Sequence, residues 1–305
     1  MSPNRIEEDQ FKNQLIEHVL ALAMLEDLGP GPLDVTSAAT IDVDTESTAR
    51  LVLKESAVLS GLDTFKAVAK CLGPRGEAMQ VVELFEEGTH LEVVPPANPI
   101  TVATIAGNAR CLLAAERLSL NLIQRMCGVA TMTRSFAALA GAHNIQILDT
   151  RKTMPGLRVF DKRAVRAGGG TNHRFGLFDA ILIKDNHVRA AGGVTAAVEK
   201  ARAYLQKEQR HLPNQKIEVE VTTLDELHEA LQTKAERILL DNMAPSLVRL
   251  AVDAVKQSGH ECFIEVSGGV NASNLESYFI RGVNAISIGA ITHSAKNIDL
   301  SLEFD

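Results

Sequence analysis

Six short apolar runs in the C-terminal half of the chain each end abruptly in a polar residue or a glycine. This repetition constrains the fold more than any other feature. The runs are Ile145–Leu148 before Asp149, Ala180–Ile183 before Lys184, Ile217–Val219 before Glu220, Ile238–Leu240 before Asp241, Phe263–Val266 before Ser267, and Ala285–Ile288 before Gly289. Helical patterns lie between several of them, over 194–206, 224–232, 246–256 and 272–281. Strands alternating with helices mean βαβ units and a parallel sheet. The strand ends recur every ~20–36 residues, which fits a barrel with loops of variable length. Six strands rather than eight make that barrel incomplete. An open doubly wound sheet satisfies the same pattern.

The first hundred residues have a different texture. Ile6 to Leu28 carries apolar residues at helical spacing and stops at Gly29, and Gly29–Pro32 reads as a loop. Ala49–Leu53, Gln80–Phe85 and Ile100–Ile105 read as strands, so this part is a small α+β unit. Asn108 to Ala140 reads as helical, with a break expected near Gly128.

Composition excludes several classes of function. A chain of 305 residues, 46% hydrophobic, buries a sizeable core. Its net charge of −7 argues against a general nucleic-acid binder, and the absence of tryptophan argues against base stacking on single strands. No segment reads as a signal peptide or membrane span; the apolar stretch Leu15–Leu25 is too short and contains Glu17 and His18. Cys71, Cys111, Cys127 and Cys262 are scattered with no CxxC pair, the expectation for reduced thiols in a cytoplasmic protein without structural zinc.

Active sites of parallel α/β barrels sit at the C-terminal ends of the strands. Here those ends carry Asp149 with Arg151 and Lys152, then Lys184, Glu220, Asp241, Ser267-Gly268-Gly269 and Gly289. A ring of charge around glycine turns is a poor way to end buried strands unless a ligand sits there. The segment 151–189 adds Arg158, Lys162, Arg163, Arg166, Arg174 and Arg189, so it holds nine of the 31 Lys and Arg residues. In an acidic chain this concentration points to carboxylate or phosphate recognition, or to a solvated basic face. Gly168-Gly169-Gly170 within it implies a tight turn or close backbone approach.

Individual strand ends leave alternatives. Lys184 either grips an anion, the reading its arginine neighbours favour, or forms a Schiff base as in a barrel lyase. Glu220 and Asp241 suit Mg²⁺, sugar hydroxyls, a positively charged ribose, or structural ion pairs. Ser267-Gly268-Gly269 ahead of an expected helix, with Gly289-Ala290 after the last strand, is a candidate phosphate site. Phosphate at one end, two acids in the middle and cations at the other end suit a phosphorylated sugar beside a multiply anionic small molecule. A non-catalytic phosphosugar-binding protein remains a rival to an enzyme.

Several segments resemble the quinolinate phosphoribosyltransferases. They are Glu26-Asp27-Leu28-Gly29 with Asp34-Val35-Thr36; Ala115 to Asn121; Asp149-Thr150-Arg151-Lys152-Thr153-Met154-Pro155-Gly156-Leu157-Arg158; and Gly168-Gly169-Gly170-Thr171-Asn172-His173-Arg174. Leu182 to His187, Glu218 to Val221, Leu240-Asp241-Asn242 and Val266 to Val270 complete the match, in order over nearly the whole chain. The resemblance implies an α/β protein: an N-terminal α/β sandwich domain over 1–125, joined by 294–305, and an incomplete parallel α/β barrel over 126–293. It implies phosphoribosyl transfer to quinolinate with loss of CO₂, giving nicotinate mononucleotide in NAD biosynthesis. A related member with a different acceptor is the nearest alternative.

By the same resemblance, Arg151, His173, Arg174 and Lys184 take the pyridine dicarboxylate, with Arg117 from a neighbouring subunit of a homodimer or a hexamer of dimers. Lys152, Glu220, Asp241, Ser267, Gly268, Gly269, Ile288, Gly289 and Ala290 take phosphoribosyl pyrophosphate with Mg²⁺, and Thr150 lies among the binding residues. Lys152, Glu220 and Asp241 are the catalytic candidates, the latter two also tentative metal ligands. Met126-Cys127-Gly128 and Phe160-Asp161-Lys162-Arg163 depart from the family pattern.

Overall fold

The computed structural model describes residues 3–31, 33–93, 99–208 and 214–305. Pro32, at the end of the expected loop, lies outside them. The chain forms two compact units. The first is Met1–Arg134, Thr153–Gly169 and His293–Asp305; the second is Ser135–Lys152 and Gly170–Thr292. The expected boundary near residue 125 falls inside a long helix, and 153–169 packs with the N-terminal residues rather than with the barrel.

In the first unit, helix α1 (Pro3–Leu28) stops where expected, at Gly29, whose φ of +74° suits glycine and whose N–H bonds Leu25 O at 3.0 Å. Asp34 caps helix α2 (Val35–Thr40), accepting from the N–H groups of Thr36 and Ser37 at 3.0 and 3.1 Å. Strands β1 (Glu46–Leu53), β3 (Gln80–Glu83), β5 (Ile100–Asn108) and β12 (Leu300–Phe304) form an antiparallel sheet in the order β12-β1-β5-β3. Short strands β2 (Ala57–Val58) and β4 (His90–Leu91) pair separately. The last strand of the chain aligns Leu302 with Leu51, so the C-terminus closes this sheet. Leu51, Leu53, Ile105 and Phe65 of helix α3 (Thr64–Lys70) are fully buried; the short helix α4 is Pro74–Glu77.

Helix α5 (Ala109–Gly141) runs unbroken, contrary to the expected interruption at Gly128. That glycine serves packing: a Cβ there would lie 2.0 Å from Lys296 O, so its absence admits the C-terminal segment. Gly168 does the same where a Cβ would meet Ala130 O at 2.3 Å. Between them lies helix α6 (Arg158–Ala167), which alters the reading of the basic segment. Lys162 is buried, Arg163 bonds Asp63 at 2.9 Å and Glu87 at 3.1 Å, and Asp161 pairs with Arg125. Arg158 donates to Thr153 Oγ1 at 3.0 Å. These cations hold the first unit together and are not part of the barrel.

The second unit contains all six expected strands: β6 (Gln146–Leu148), β7 (Ala180–Ile183), β8 (Asn214–Val221), β9 (Arg237–Asp241), β10 (Phe263–Ser267) and β11 (Ala285–Ser287). They are parallel, in the order β6-β11-β10-β9-β8-β7. Winding proceeds one way from β7 to β11 and then meets β6, as in a barrel; a doubly wound sheet would reverse at a switch point. β6 and β7 are the two edges, so the barrel is incomplete. Thr171 bridges to Leu148 alongside the β6 edge.

Helices α7 (Asp185–Ala191), α8 (Val194–Glu208), α9 (Leu224–Gln232) and α10 (Pro245–Ser258) follow their strands. In α10, Val248, Ala251, Val252 and Val255 are buried at i, i+3, i+4, i+7, the apolar stripe that seats a helix. The helix expected over 272–281 is only a four-residue 3₁₀ turn, Leu275–Tyr278. Polar side chains compete with the backbone ahead of it: Asn274 Oδ1 accepts from Asn271 N–H, and Asn271 Oδ1 from Ser273 N–H. Helix α11 (Ala290–His293) follows β11.

Candidate active site

The strand ends of the second unit carry most of the expected residues. Lys184 follows β7 and caps α7; Glu220 lies near the end of β8; Asp241 ends β9 and aligns with Ser267, which ends β10. Lys184 Nζ donates to Glu220 Oε2. Asn242 holds the next carboxylate. Its φ of +55° turns the chain back so that its N–H meets Ser267 O at 2.9 Å and its side-chain amide meets Asp241 Oδ2 at 2.6 Å. Gly268 (φ +90°) packs on this asparagine: a Cβ there would be 2.3 Å from Asn242 Oδ1. Asn271 and Asn274 donate to Gly269 O at 3.2 and 3.1 Å and fix the turn. Any anion here therefore meets the N–H groups of a glycine turn, since the regular helix expected behind it does not form.

The other side of the ring is built on the β6 edge. Asp149 is fully buried and its Oδ1 accepts the His173 N–H at 2.8 Å. Thr150 Oγ1 accepts from Lys152 N–H at 3.1 Å, and Thr292 Oγ1 donates to Lys152 O at 2.9 Å. Lys152 is thereby tied to the helix that carries Ala290, while Ile288 N–H bonds Leu148 O at 3.0 Å. Arg174 is half-buried and donates through Nη1 to Ala180 O at 3.1 Å. Burial, and then the neighbouring charge of Arg151, lower its pKa, while the charges of Asp179, Glu218 and Glu220 act the other way. Arg117 belongs to the first unit, where it is exposed and lies 3.8 Å from Glu116.

Beneath this ring lies a layer that the sequence reading missed. His173 Nε2 points to Glu218 Oε2 at 3.3 Å and Glu265 Oε1 at 3.5 Å, and both carboxylates are buried. Arg237 donates to their other oxygens at 3.2 and 3.3 Å and stacks 3.9 Å over Phe263. Burial pushes the Glu265 carboxyl up to about 7, with the charge of Glu218 adding to it. Burial pushes the Glu218 carboxyl up as well, but the bonds to His173 and Arg237 and their charges outweigh it and hold its pKa below the ordinary value. His173 is pulled toward the neutral form by burial and, more strongly, toward the charged form by the two carboxylates. The Arg174 N–H donates to His173 Nδ1 at 2.7 Å, however, and leaves no place for a second proton there. The ring that fits this contact carries its proton at Nε2, facing Glu218 Oε2. A parity signal existed for this layer: Glu218 lies two residues before Glu220, and Glu265 two before Ser267, on the same strand face.

Fold and strand ends together define an incomplete parallel α/β barrel with acidic residues and glycine turns at the ends of its strands. Two family models match the chain: quinolinate phosphoribosyl transferase, N-terminal domain, over residues 34–127, and its C-terminal domain over residues 129–303. The chain belongs to the quinolinate phosphoribosyltransferase family. It is 40% identical to the rice chloroplastic nicotinate-nucleotide pyrophosphorylase (carboxylating), over 95% of this chain and 78% of that one. It is 39% identical to a probable nicotinate-nucleotide pyrophosphorylase (carboxylating) of Bacillus subtilis, over 92% and 90%. The solved nicotinate-nucleotide pyrophosphorylase of Francisella tularensis superposes with a TM-score of 0.83 at 36% identity, covering 96% of this chain and 97% of the other. Among the described residues, no helix is long and apolar enough to cross a membrane.

Proposed function

We propose that the chain transfers a phosphoribosyl group from phosphoribosyl pyrophosphate to quinolinate and releases pyrophosphate and CO₂, giving nicotinate mononucleotide for NAD biosynthesis. The observation that carries this reading is the set of Lys184, Glu220, Asp241 and the Ser267–Gly269 turn at the strand ends of one incomplete barrel, with Arg174 within reach of the charges of Arg151 and Glu220, in a chain matched by this family over residues 34–127 and 129–303.

In this reading Arg151, Arg174 and Lys184 hold the two carboxylates of quinolinate, and His173 lies behind them. Arg117 reaches the same dicarboxylate from a second copy of the chain, in a homodimer or a hexamer of dimers. Lys152, the glycine turn and Ile288–Ala290 take the phosphates, and Thr150 fixes the Lys152 main chain. The ring nitrogen attacks ribose C1 as the bond to pyrophosphate breaks. Positive charge grows on the sugar, where Glu220 and Asp241 stabilise it, while Lys152 faces the leaving group. Once the nitrogen is quaternary, the adjacent carboxylate leaves as CO₂, the electron pair of the breaking C–C bond stays on the ring carbon beside the cationic nitrogen, and that carbon then takes a proton delivered from solvent.

Glu220 and Asp241 each commit one oxygen to a neighbour and keep a second for a hard cation or its water, so this donor set fits Mg²⁺. Mg²⁺ bound with the pyrophosphate would supply charge neutralisation for the leaving group. The four free cysteines fit a cytoplasmic setting.

Two assays test the proposal. Quinolinate should be turned over and nicotinate, which lacks the second carboxylate, should not; equal turnover assigns another acceptor. Arg174→Ala should lower kcat/KM for quinolinate at least tenfold, about 1.4 kcal/mol, and an unchanged value removes that arginine from the site.

A further inference from the structure

We infer that Glu218, Glu265 and Arg237 are positioning residues that fix the tautomer of His173 and, through it, the placement of Arg174. The inference rests on the assignment of Arg174 to the quinolinate carboxylates.

The two ring nitrogens of His173 have different partners. Nδ1 accepts the Arg174 amide proton at 2.7 Å, so it carries a lone pair. The ring's single proton then sits on Nε2. Nε2 faces two buried carboxylate oxygens, Glu218 Oε2 and Glu265 Oε1, both acceptors. Arg237 grips Glu218 Oε1 and Glu265 Oε2 and is itself seated on the Phe263 ring, so the remaining two oxygens are turned onto the imidazole. Glu265 Oε1 makes no hydrogen bond among the described residues, a fully buried acceptor aimed at Nε2 from just beyond bonding distance.

These three groups could be mistaken for a metal site, since their ligand atoms lie within 4.8 Å of one another. A metal needs the Nε2 lone pair, and that would move the proton to Nδ1, directly against the Arg174 N–H. The bonded network therefore selects a proton at the centre. The same contact explains what the network does for the site above. The Arg174 main chain is held by His173 and its guanidinium by Ala180 O, while Asp149 holds the His173 main chain. A ring flipped to the other tautomer would set N–H against N–H and push Arg174 off its place.

The test reads tautomer and kinetics separately. In protein labelled with ¹⁵N-histidine, the His173 signal, assigned by its loss in His173→Gln, should show a protonated Nε2 and an unprotonated Nδ1 at pH 7.5. A protonated Nδ1 overturns the inference. Glu265→Leu should raise KM for quinolinate at least fivefold and leave KM for phosphoribosyl pyrophosphate within twofold. Glu265→Gln, which keeps an acceptor oxygen, should stay within twofold for both. If Arg174→Ala raises KM for quinolinate but Glu265→Leu does not, the positioning role is wrong. If Arg174→Ala itself has no effect, the assignment of Arg174 falls instead, and with it the role of the network in substrate binding. The wild-type tautomer needs no variant to fold.

Discussion

Lys184 Nζ donates to Glu220 Oε2 across the paired strands β7 and β8, which joins the cationic and acidic halves of the strand-end ring in one ion pair. With its Nζ directed onto a carboxylate, Lys184 is placed to grip charged groups rather than to attack a carbonyl. Borohydride added during turnover should therefore leave Lys184 unmodified in a peptide mass map, while Lys184→Met should lower kcat/KM at least tenfold, about 1.4 kcal/mol. A reduced adduct on Lys184 would assign lyase chemistry.

The glycines of the phosphate turn should respond unequally. At Gly268 a Cβ would meet Asn242 Oδ1 at 2.3 Å and Asn242 N at 2.7 Å, whereas at Gly269 it meets nothing within 4 Å. Gly269→Ala carries only the left-handed backbone cost, about 1 kcal/mol. Gly268→Ala should displace Asn242 and with it Asp241, raising KM for phosphoribosyl pyrophosphate more than Gly269→Ala does. Equal effects in steady-state kinetics would show that the asparagine contact is unimportant.

The departure at Phe160–Arg163 has a structural reason. Asp161 is completely buried and takes a bidentate pair of 2.8 Å bonds from Arg125. Arg125→Leu takes both bonds from a buried carboxylate, leaving it the charge of Arg158, and should cost roughly 3–5 kcal/mol by denaturant unfolding. Removing both charges, in Arg125→Leu with Asp161→Leu, should recover part of the loss. A single variant as stable as the parent contradicts the pair's role.

Glu265 gives a pH dependence with a definite sign. Its folded value of about 7 stands above the ordinary 4.5, chiefly because burial disfavours the anion. The protonated form is bound better in the folded state, so its stability contribution is complete below 4.5 and lost as pH rises through 7. Glu218 is shifted the other way, and its contribution is lost only on acidification below that range. Glu265→Gln stays neutral throughout. The Tm of the variant relative to the parent should therefore be higher at pH 8 than at pH 5 by calorimetry, and a flat difference would place the proton elsewhere.

The basic segment shows where reading along the chain misled. Its nine cations point to carboxylate or phosphate recognition or to a solvated face, but Lys162 is buried in the first unit, Arg163 bonds Glu87 and Asp63 there, and only part of the set stands on the barrel. Gly168 was read as approaching something closely, and the something is the backbone at Ala130. Neighbours in sequence had been taken as neighbours in space. The inner layer is hidden for the opposite reason: Glu218, Arg237 and Glu265 are apart in the chain, the two acids each sit between apolar residues and Arg237 follows Glu236, so none stands out locally.

Period and punctuation determined what depends on local geometry. Apolar runs broken by polar residues specify six parallel strands, and the residue after each run falls at a strand end because side chains alternate along a strand. Which strand lies beside which is not local. Only the bridge of Thr171 to the outer edge of β6 brings Asp149 to His173, and only the barrel interior assembles His173, Glu218, Glu265 and Arg237. Their proton positions follow from burial and from mutual distance, two quantities that exist once the chain has folded.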